Sequence, residues 1–132
     1  MSRRVVQLFP VLVVDDDADA REAMKSVLEL HGYTVVTAAD GSEAIERLRN
    51  GLTPCLILLD LMMPGMDGFV FVNEKRQDPR ISAIPVVIYS GHHDAKSNAV
   101  RLGAEGYFQK PVEVQSLLNL VERYRARPAS TQ

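Results

Sequence analysis

Three short runs of apolar residues, each followed at once by a polar side chain, constrain the fold of this chain most strongly. Residues 11–14 are Val-Leu-Val-Val, residues 56–59 are Leu-Ile-Leu-Leu, and residues 85–89 are Pro-Val-Val-Ile-Tyr. The runs are rich in β-branched residues and lack an alternation of apolar and polar positions, which is typical of strands buried on both faces. They predict a parallel sheet that is covered by helices on both sides.

The polar residues that follow these strands predict a functional site. Asp15 and Asp16 follow the first run, Asp60 follows the second, and Ser90 follows the third. A later strand is followed in the same way by Lys110. Because ligands of parallel α/β sheets bind outside the carboxyl ends of the strands, we expect these side chains to meet at one edge of the sheet.

The intervening segments alternate with the strands and complete an α/β pattern. Further strands are predicted at 34–38 and 106–109, and apolar residues recur at helical spacing between strands. Residues 69–72, which follow Asp67 and Gly68, fit a hairpin strand when taken alone. A crossover between two parallel strands requires a helix there instead, capped by Asp67. We therefore predict a (βα)5 fold, a doubly wound five-stranded parallel sheet with right-handed crossovers.

Length and composition fit one cytoplasmic domain. The chain has 132 residues, 46% of them hydrophobic, and a formal net charge of −2, which suits one core and gives no electrostatic attraction to nucleic acid or membrane. The lone Cys55 excludes an internal disulfide and fits a reducing compartment. We predict an N-terminal extension at 1–10, with an ordinary ragged start favoured over a signal peptide, a domain at 11–126 and a frayed tail at 127–132.

The convergent residue types point to phosphoryl chemistry. Asp15, Asp16 and Asp60 at one edge would concentrate negative charge, which is costly unless a cation neutralises it. Magnesium fits these oxygen ligands best, because it binds few protein carboxylates and keeps room for phosphate oxygens. Lys110 would add a mobile positive charge, and the Ser90 hydroxyl can bond to a phosphoryl oxygen. Together these groups predict phosphoryl transfer onto an aspartate.

Each of these residues also has a purely structural interpretation. Acidic side chains after the first strand can cap the first helix, and we expect that role for Asp17 or Asp19. Asp60 can be an ordinary strand end, Ser90 a loop hydroxyl and Lys110 a solvated charge. The functional interpretation is favoured because the residues come from separate strand ends that the fold brings together.

Four segments carry a family resemblance. They are VVDDD at 13–17, LLDLMMPGMDG at 58–68, IPVVIYSG at 84–91 and GAEGYFQKP at 103–111. In this order they resemble the receiver domains of bacterial two-component response regulators, the CheY-like family. The resemblance covers nearly the whole chain. It implies a flavodoxin/CheY-like sheet with the strand order 2-1-3-4-5.

The resemblance implies roles for the acidic residues. Asp60 would be the phosphoacceptor and would take a phosphoryl group from a phosphohistidine on a sensor histidine kinase or a phosphotransfer protein. Asp16, Asp60 and the backbone carbonyl of Met62 would bind Mg2+ (or Mn2+), and Asp15 would assist through a water molecule.

The resemblance also implies a conformational switch. Lys110 would contact the acyl phosphate, and the Lys110–Pro111 peptide bond would be cis. Ser90 would swing toward the phosphoryl group and Tyr107 would follow by moving inward. The face built from the fourth helix, fifth strand and fifth helix would then change for an unknown downstream protein. A static edge aromatic is the alternative for Tyr107.

Three positions depart from the family pattern. Ser90 stands where threonine is commoner but keeps the hydroxyl. The segment between Ser90 and Tyr107 is slightly shorter than in the chemotaxis regulator. Met62 offers no side-chain hydrogen bond to an attacking water, so we expect slow self-dephosphorylation.

His92 and His93 could suggest a transition-metal site. They lack a third ligand at fixed spacing and are interpreted as solvated loop residues.

The resulting prediction is a regulatory phosphoacceptor domain rather than an enzyme, acting as a monomer or weak dimer without nucleic acid or membrane binding. Alternatives are a receiver segment of a hybrid kinase, a phosphate sink, or a module that only binds protein. A haloacid-dehalogenase-type phosphatase is disfavoured because Lys110 follows every candidate acid.

Overall fold

Strands and helices alternate along the whole described part of the chain, which in the computed structural model comprises residues 9–61, 68–91 and 95–125. The strands are β1 (Val11–Val14), β2 (Val35–Ala38), β3 (Leu56–Asp60), β4 (Val86–Ser90) and β5 (Gly106–Gln109). The helices are α1 (Ala18–Leu30), α2 (Gly41–Arg49), α3 (Gly68–Arg76), α4 (Ala95–Leu102) and α5 (Val114–Tyr124). The predicted (βα)5 order is confirmed.

All five strands are parallel and form one sheet in the order β2-β1-β3-β4-β5. The order confirms the 2-1-3-4-5 topology that the family resemblance implies. In the register, Val14 lies opposite Leu59 and Asp60 lies opposite Tyr89. The carboxyl ends of β1, β3 and β4 are therefore level with one another, and the residues that follow these strands share one edge.

Two hydrophobic clusters cover the two faces of the sheet. Alternate strand residues such as Leu12, Ile57 and Ile88 pack with side chains from α2, α3 and α4. The other alternate residues, including Val13 and Leu58, pack with side chains from α1 and α5. Because helices lie on both faces, the three apolar runs are buried on both sides, which is why they show no apolar–polar alternation.

The helix ends confirm the predicted cap of α1 and the helical character of α3. Asp17 caps α1, where its carboxylate accepts from the backbone N–H groups of Asp19 and Ala20. Asp40 caps α2 by accepting from the backbone N–H of Glu43. The helical interpretation of residues 69–72 is confirmed by α3, whereas its predicted cap, Asp67, lies outside the described residues.

The two edge strands differ from the buried central strands. β5 alternates between half-buried and exposed positions, and β2 is fully buried only at its two ends. Each edge strand has only one neighbouring strand and is less buried. The apolar segments of β2 and β5 are therefore shorter and more polar than those of the central strands. Cys55 immediately precedes β3 and is buried, as expected of a core thiol. Among the described residues, no helix combines the length and apolar character needed to cross a membrane.

Candidate functional site

Three carboxylates meet at the carboxyl edge of the sheet. Asp15 and Asp16 follow β1, and Asp60 is the last residue of the neighbouring strand β3. One carboxylate oxygen from each of the three residues lies within 4.8 Å of the others. Asp15 and Asp60 are buried, whereas Asp16 is exposed to solvent. The predicted convergence of the acidic side chains is therefore present in the structure.

The carboxylate of Asp15 has a donor at each oxygen. The backbone N–H of Asp17 donates to Oδ1 at 2.9 Å, and the hydroxyl of Tyr89 donates to Oδ2 at 2.8 Å. The guanidinium of Arg21 donates to the backbone carbonyl of Asp15 at 2.7 Å, which ties α1 to the end of β1. Asp15 is thus held in one orientation by both the turn and the sheet.

Lys110, which directly follows β5, brings a positive charge to the carboxylates. Its Nζ lies 3.4 Å from Oδ2 of Asp60 and 3.6 Å from Oδ2 of Asp15. Its backbone N–H donates to the carbonyl of Ser90 at 2.9 Å, which fixes the start of the loop beside β4. The Lys110–Pro111 peptide bond is cis, as the resemblance implies. The ammonium therefore bridges two strands, and its contacts partly neutralise the acidic group.

Tyr89 is a member of this site that the sequence analysis did not identify. Besides its bond to Asp15, its ring lies 5.0 Å from the Nζ of Lys110, measured to the ring centroid. Burial and the nearby carboxylates of Asp15 and Asp60 raise the pKa of Tyr89 well above its ordinary value, so its hydroxyl remains a donor. The only signal in the sequence was an aromatic residue ending an aliphatic run before Ser90.

The predicted switch residues occupy different environments. Ser90 ends β4 and is buried, whereas Tyr107 on β5 has 44% of its surface exposed. In the register Tyr107 lies opposite Ile88, two residues before Ser90. Met62, His92 and His93 lie outside the described residues.

The donor set of the acidic group fits a hard divalent cation. All three grouped side chains offer carboxylate oxygens, which are ligands that magnesium and manganese accept. No histidine or cysteine takes part in the group within the described residues, so the set does not resemble a zinc site. The residues present are therefore suited to Mg2+.

The fold and this edge define a receiver domain, and the chain belongs to the response regulator receiver family. The model of that family, described as the response regulator receiver domain, matches residues 11–122. Solved structures that match include CheY-like receiver domains, and the family operates in two-component signalling. Receiver domains are regulatory and interact with histidine kinases and downstream effectors.

Individual relatives agree with this assignment. The protein PilH of Pseudomonas aeruginosa is 33% identical over 114 residues, which is 84% of this chain and 93% of PilH. A response regulator receiver protein from Pseudomonas putida superposes with a TM-score of 0.82 at 31% identity, over 90% of this chain and 99% of that one. The response regulator TrrA of Thermotoga maritima, solved in complex with Mg(2+)-BeF, gives a TM-score of 0.77 at 28% identity, over 88% and 98%.

Other relatives are longer than this chain. The chain covers only 24% of the length of the transcriptional regulator NtrC of Escherichia coli and 50% of that of the response regulator MtrA of Mycolicibacterium paratuberculosis. Their regions beyond the receiver lie outside the match.

Proposed function

We propose that Asp60 is the phosphoacceptor of a two-component phosphorelay. It takes the phosphoryl group from a phosphohistidine of a sensor histidine kinase or a phosphotransfer protein. The observation that carries this proposal is the position of Asp60, whose Oδ2 lies 3.4 Å from the Nζ of Lys110 at the carboxyl edge of the sheet. A carboxylate nucleophile and an ammonium group at this distance suit the transfer of a dianionic group.

The transfer forms one bond and breaks another. A carboxylate oxygen of Asp60 attacks phosphorus, a P–O bond forms, and the P–N bond to the partner imidazole breaks. Lys110 interacts with the acidic group in the unmodified protein, and its ammonium would bind a phosphoryl oxygen after transfer. Because the ammonium already lies beside Asp60, little reorganisation is needed at the moment of reaction.

The three carboxylates would hold Mg2+ (or Mn2+), which would balance their negative charge. Asp16 and Asp60 would hold the ion directly, with the backbone carbonyl of Met62, and Asp15 would contribute through water. When bound, the ion neutralises carboxylate and phosphoryl oxygens and orients them. The indirect role of Asp15 is supported by the two donors that its oxygens already have.

The acyl phosphate would act through Ser90 and Tyr107. Ser90 is buried at the end of β4, one strand away from Asp60, and its hydroxyl can donate to a phosphoryl oxygen. Tyr107 would turn inward as Ser90 moves, which changes the face formed by α4, β5 and α5. A downstream protein that prefers the changed face would shift the equilibrium toward it. We place this reaction in the cytoplasm, with the chain as a monomer or weak dimer.

A module that only binds protein is the main alternative. Such a receiver would have lost an acid or the lysine, yet Asp15, Asp16, Asp60 and Lys110 are all present and grouped. No observation favours the phosphatase alternative.

Incubation with acetyl phosphate, with and without Mg2+, followed by intact mass, tests the proposal. We expect a magnesium-dependent gain of one phosphoryl group in the wild type and none in Asp60→Asn. Asp19→Asn is the matched control, because Asp19 is exposed in the first turn of α1 and should leave the gain unchanged. A gain of equal size in Asp60→Asn would contradict the assignment.

A further inference from the structure

Tyr89 is buried at the centre of the site, and the proposed phosphoryl transfer assigns it no role. It is 2% exposed and packs in the cluster between the sheet, α1 and α5. A buried tyrosine hydroxyl needs a hydrogen-bond partner. Here that partner is not a neighbouring backbone group but Oδ2 of Asp15, at 2.8 Å.

Oδ2 of Asp15, which accepts the hydrogen bond from Tyr89, is also the oxygen that faces Lys110. The Nζ of Lys110 lies 3.6 Å from Oδ2 of Asp15 and 3.4 Å from Oδ2 of Asp60, so the ammonium is shared between two carboxylates. A hydroxyl donor reduces the ability of an oxygen to attract a second donor. Tyr89 therefore weakens the attraction of Asp15 for Lys110 and leaves the ammonium nearer to Asp60.

The ring of Tyr89 acts on the same ammonium group. With its centroid 5.0 Å from Nζ, the ring lies within the range of a cation–π interaction. Since Asp60 is opposite Tyr89 in the register of β3 and β4, the tyrosine lies beside the phosphoacceptor. The hydroxyl and the ring thus contact two different groups of the site.

We propose that Tyr89 is a positioning residue, whose hydroxyl holds Oδ2 of Asp15 and whose ring supports Lys110, so that the ammonium stays available to Asp60. This inference rests on the proposed function of Asp60. The sharing of the Lys110 ammonium between Asp15 and Asp60 then depends on Tyr89, a residue that neither accepts the phosphoryl group nor binds metal.

Tyr89→Phe separates the two contacts, because it removes the hydroxyl and keeps the ring. Asp15 then lacks one donor in a group of three carboxylates, so we expect the dissociation constant of Mg2+ to fall about threefold to tenfold. The freed oxygen draws Lys110 away from Asp60. We therefore expect phosphorylation at saturating Mg2+ and acetyl phosphate to slow by about tenfold or more.

These two effects have opposite signs, and a general loosening of the fold would not produce both. Mg2+ affinity is measured by calorimetry without a phosphodonor, and the phosphorylation rate by intact mass, both well below the midpoint of thermal unfolding. Tyr33→Phe is the matched control. It removes a hydroxyl bonded to Glu122 and should change neither quantity.

The outcomes separate the two proposals. Tighter Mg2+ binding with slower phosphorylation in Tyr89→Phe supports the positioning role. Unchanged Mg2+ affinity, or weaker binding and slower phosphorylation together, contradicts that role. A wild-type protein that gains no phosphoryl group contradicts the proposed function of Asp60, whereas an unchanged Mg2+ affinity in Tyr89→Phe contradicts the role of Tyr89 independently of phosphorylation.

Discussion

The ammonium group of Lys75 lies buried at the end of α3 and donates a 2.8 Å hydrogen bond to the backbone carbonyl of Ser82. The pKa of Lys75 is lowered from 10.5 to about 8, chiefly by burial and also by the charge of Arg76, against the opposing attraction of Glu105. Lys75 therefore stabilises the segment that leads into β4 through a hydrogen bond, while its buried charge opposes folding.

The buried charge of Lys75 makes stability depend on pH. Below pH 8 both the folded and unfolded states carry the proton, and the cost of burial is fully present. As the pH rises from about 8 to 10.5 the folded state loses the proton first, so this group becomes less destabilising. Lys75→Met removes the effect. We expect its stability relative to the wild type to fall by about 1–3 kcal/mol between pH 7 and pH 10.

Urea unfolding of both proteins across this pH range measures the difference. Other groups also titrate in this range. For example, burial raises the pKa of Cys55 from 9.0 to about 11. Their contributions are the same in both proteins and cancel in the comparison. Lys96→Met is the control, because Lys96 is exposed on α4. A difference between Lys75→Met and the wild type that stays constant with pH would contradict the buried charge.

Gly68 allows α3 to begin directly against the residue that follows Asp60. A Cβ at Gly68 would lie 2.6 Å from Cδ2 and 2.8 Å from Cα of Leu61, and the Gly68 N–H donates to the Leu61 carbonyl at 3.1 Å. The backbone of Leu61 cannot give way without moving Asp60. We expect Gly68→Ala to cost about 1–3 kcal/mol of unfolding free energy and to weaken Mg2+ binding severalfold.

Chemical unfolding and calorimetric Mg2+ titration check the Gly68 prediction. Gly106→Ala is the matched control, since its Cβ would meet only Cγ2 of Val87 at 3.8 Å. We expect the control to change the unfolding free energy by less than about 0.5 kcal/mol. Equal stability and Mg2+ affinity in Gly68→Ala and the wild type would show that the contact with Leu61 is not limiting.

Lys110 should affect the chemical step more than metal binding. Removing its ammonium takes away a positive charge from the developing phosphoryl group, so we expect Lys110→Ala to slow phosphorylation of Asp60 by about 100-fold or more. Mg2+ should bind at least as tightly, because the carboxylates lose a competing cation. Rates from intact mass and a separate Mg2+ titration measure both, with Lys96→Ala as the control. A normal rate in Lys110→Ala would contradict the role of Lys110.

Ser90 should couple phosphorylation to the position of Tyr107. Because Tyr107 is 44% exposed, tetranitromethane should nitrate it in the unmodified protein and react more slowly after phosphorylation. We expect this protection in the wild type and in Ser90→Thr, but not in Ser90→Ala, which lacks the hydroxyl. Peptide mass locates the nitration, and the half-buried Tyr124 is an internal reference. Protection of Tyr107 in Ser90→Ala would contradict the coupling.

The sequence was sufficient to predict the fold and the acidic group because both follow from strand ends. The apolar runs before Asp15, Asp60 and Ser90 predict buried parallel strands, and parallel strands bring their carboxyl ends to one edge. The helical character of residues 69–72 also followed, since a parallel crossover leaves little other choice.

Side-chain partners within the fold could not be predicted in the same way. The bond from Tyr89 to Asp15 depends on strand register and rotamer, which neighbouring residues in the sequence do not specify. In the sequence, Lys75 has the pattern of a solvent-exposed charge on a helix. It is buried in the structure because α3 packs against the start of β4. On the edge strand β5, Tyr107 occupies an exposed position. The aromatic character of the residue does not indicate this exposure.

Reduction of the phosphorylated protein with borohydride tests the central claim most directly. Borohydride converts an aspartyl phosphate to homoserine, and peptide mass then identifies the modified position. After treatment with acetyl phosphate and Mg2+, we expect homoserine at position 60 and unmodified aspartate at Asp15 and Asp16. Homoserine at either of those positions, or at none, would contradict the assignment of Asp60 as the phosphoacceptor.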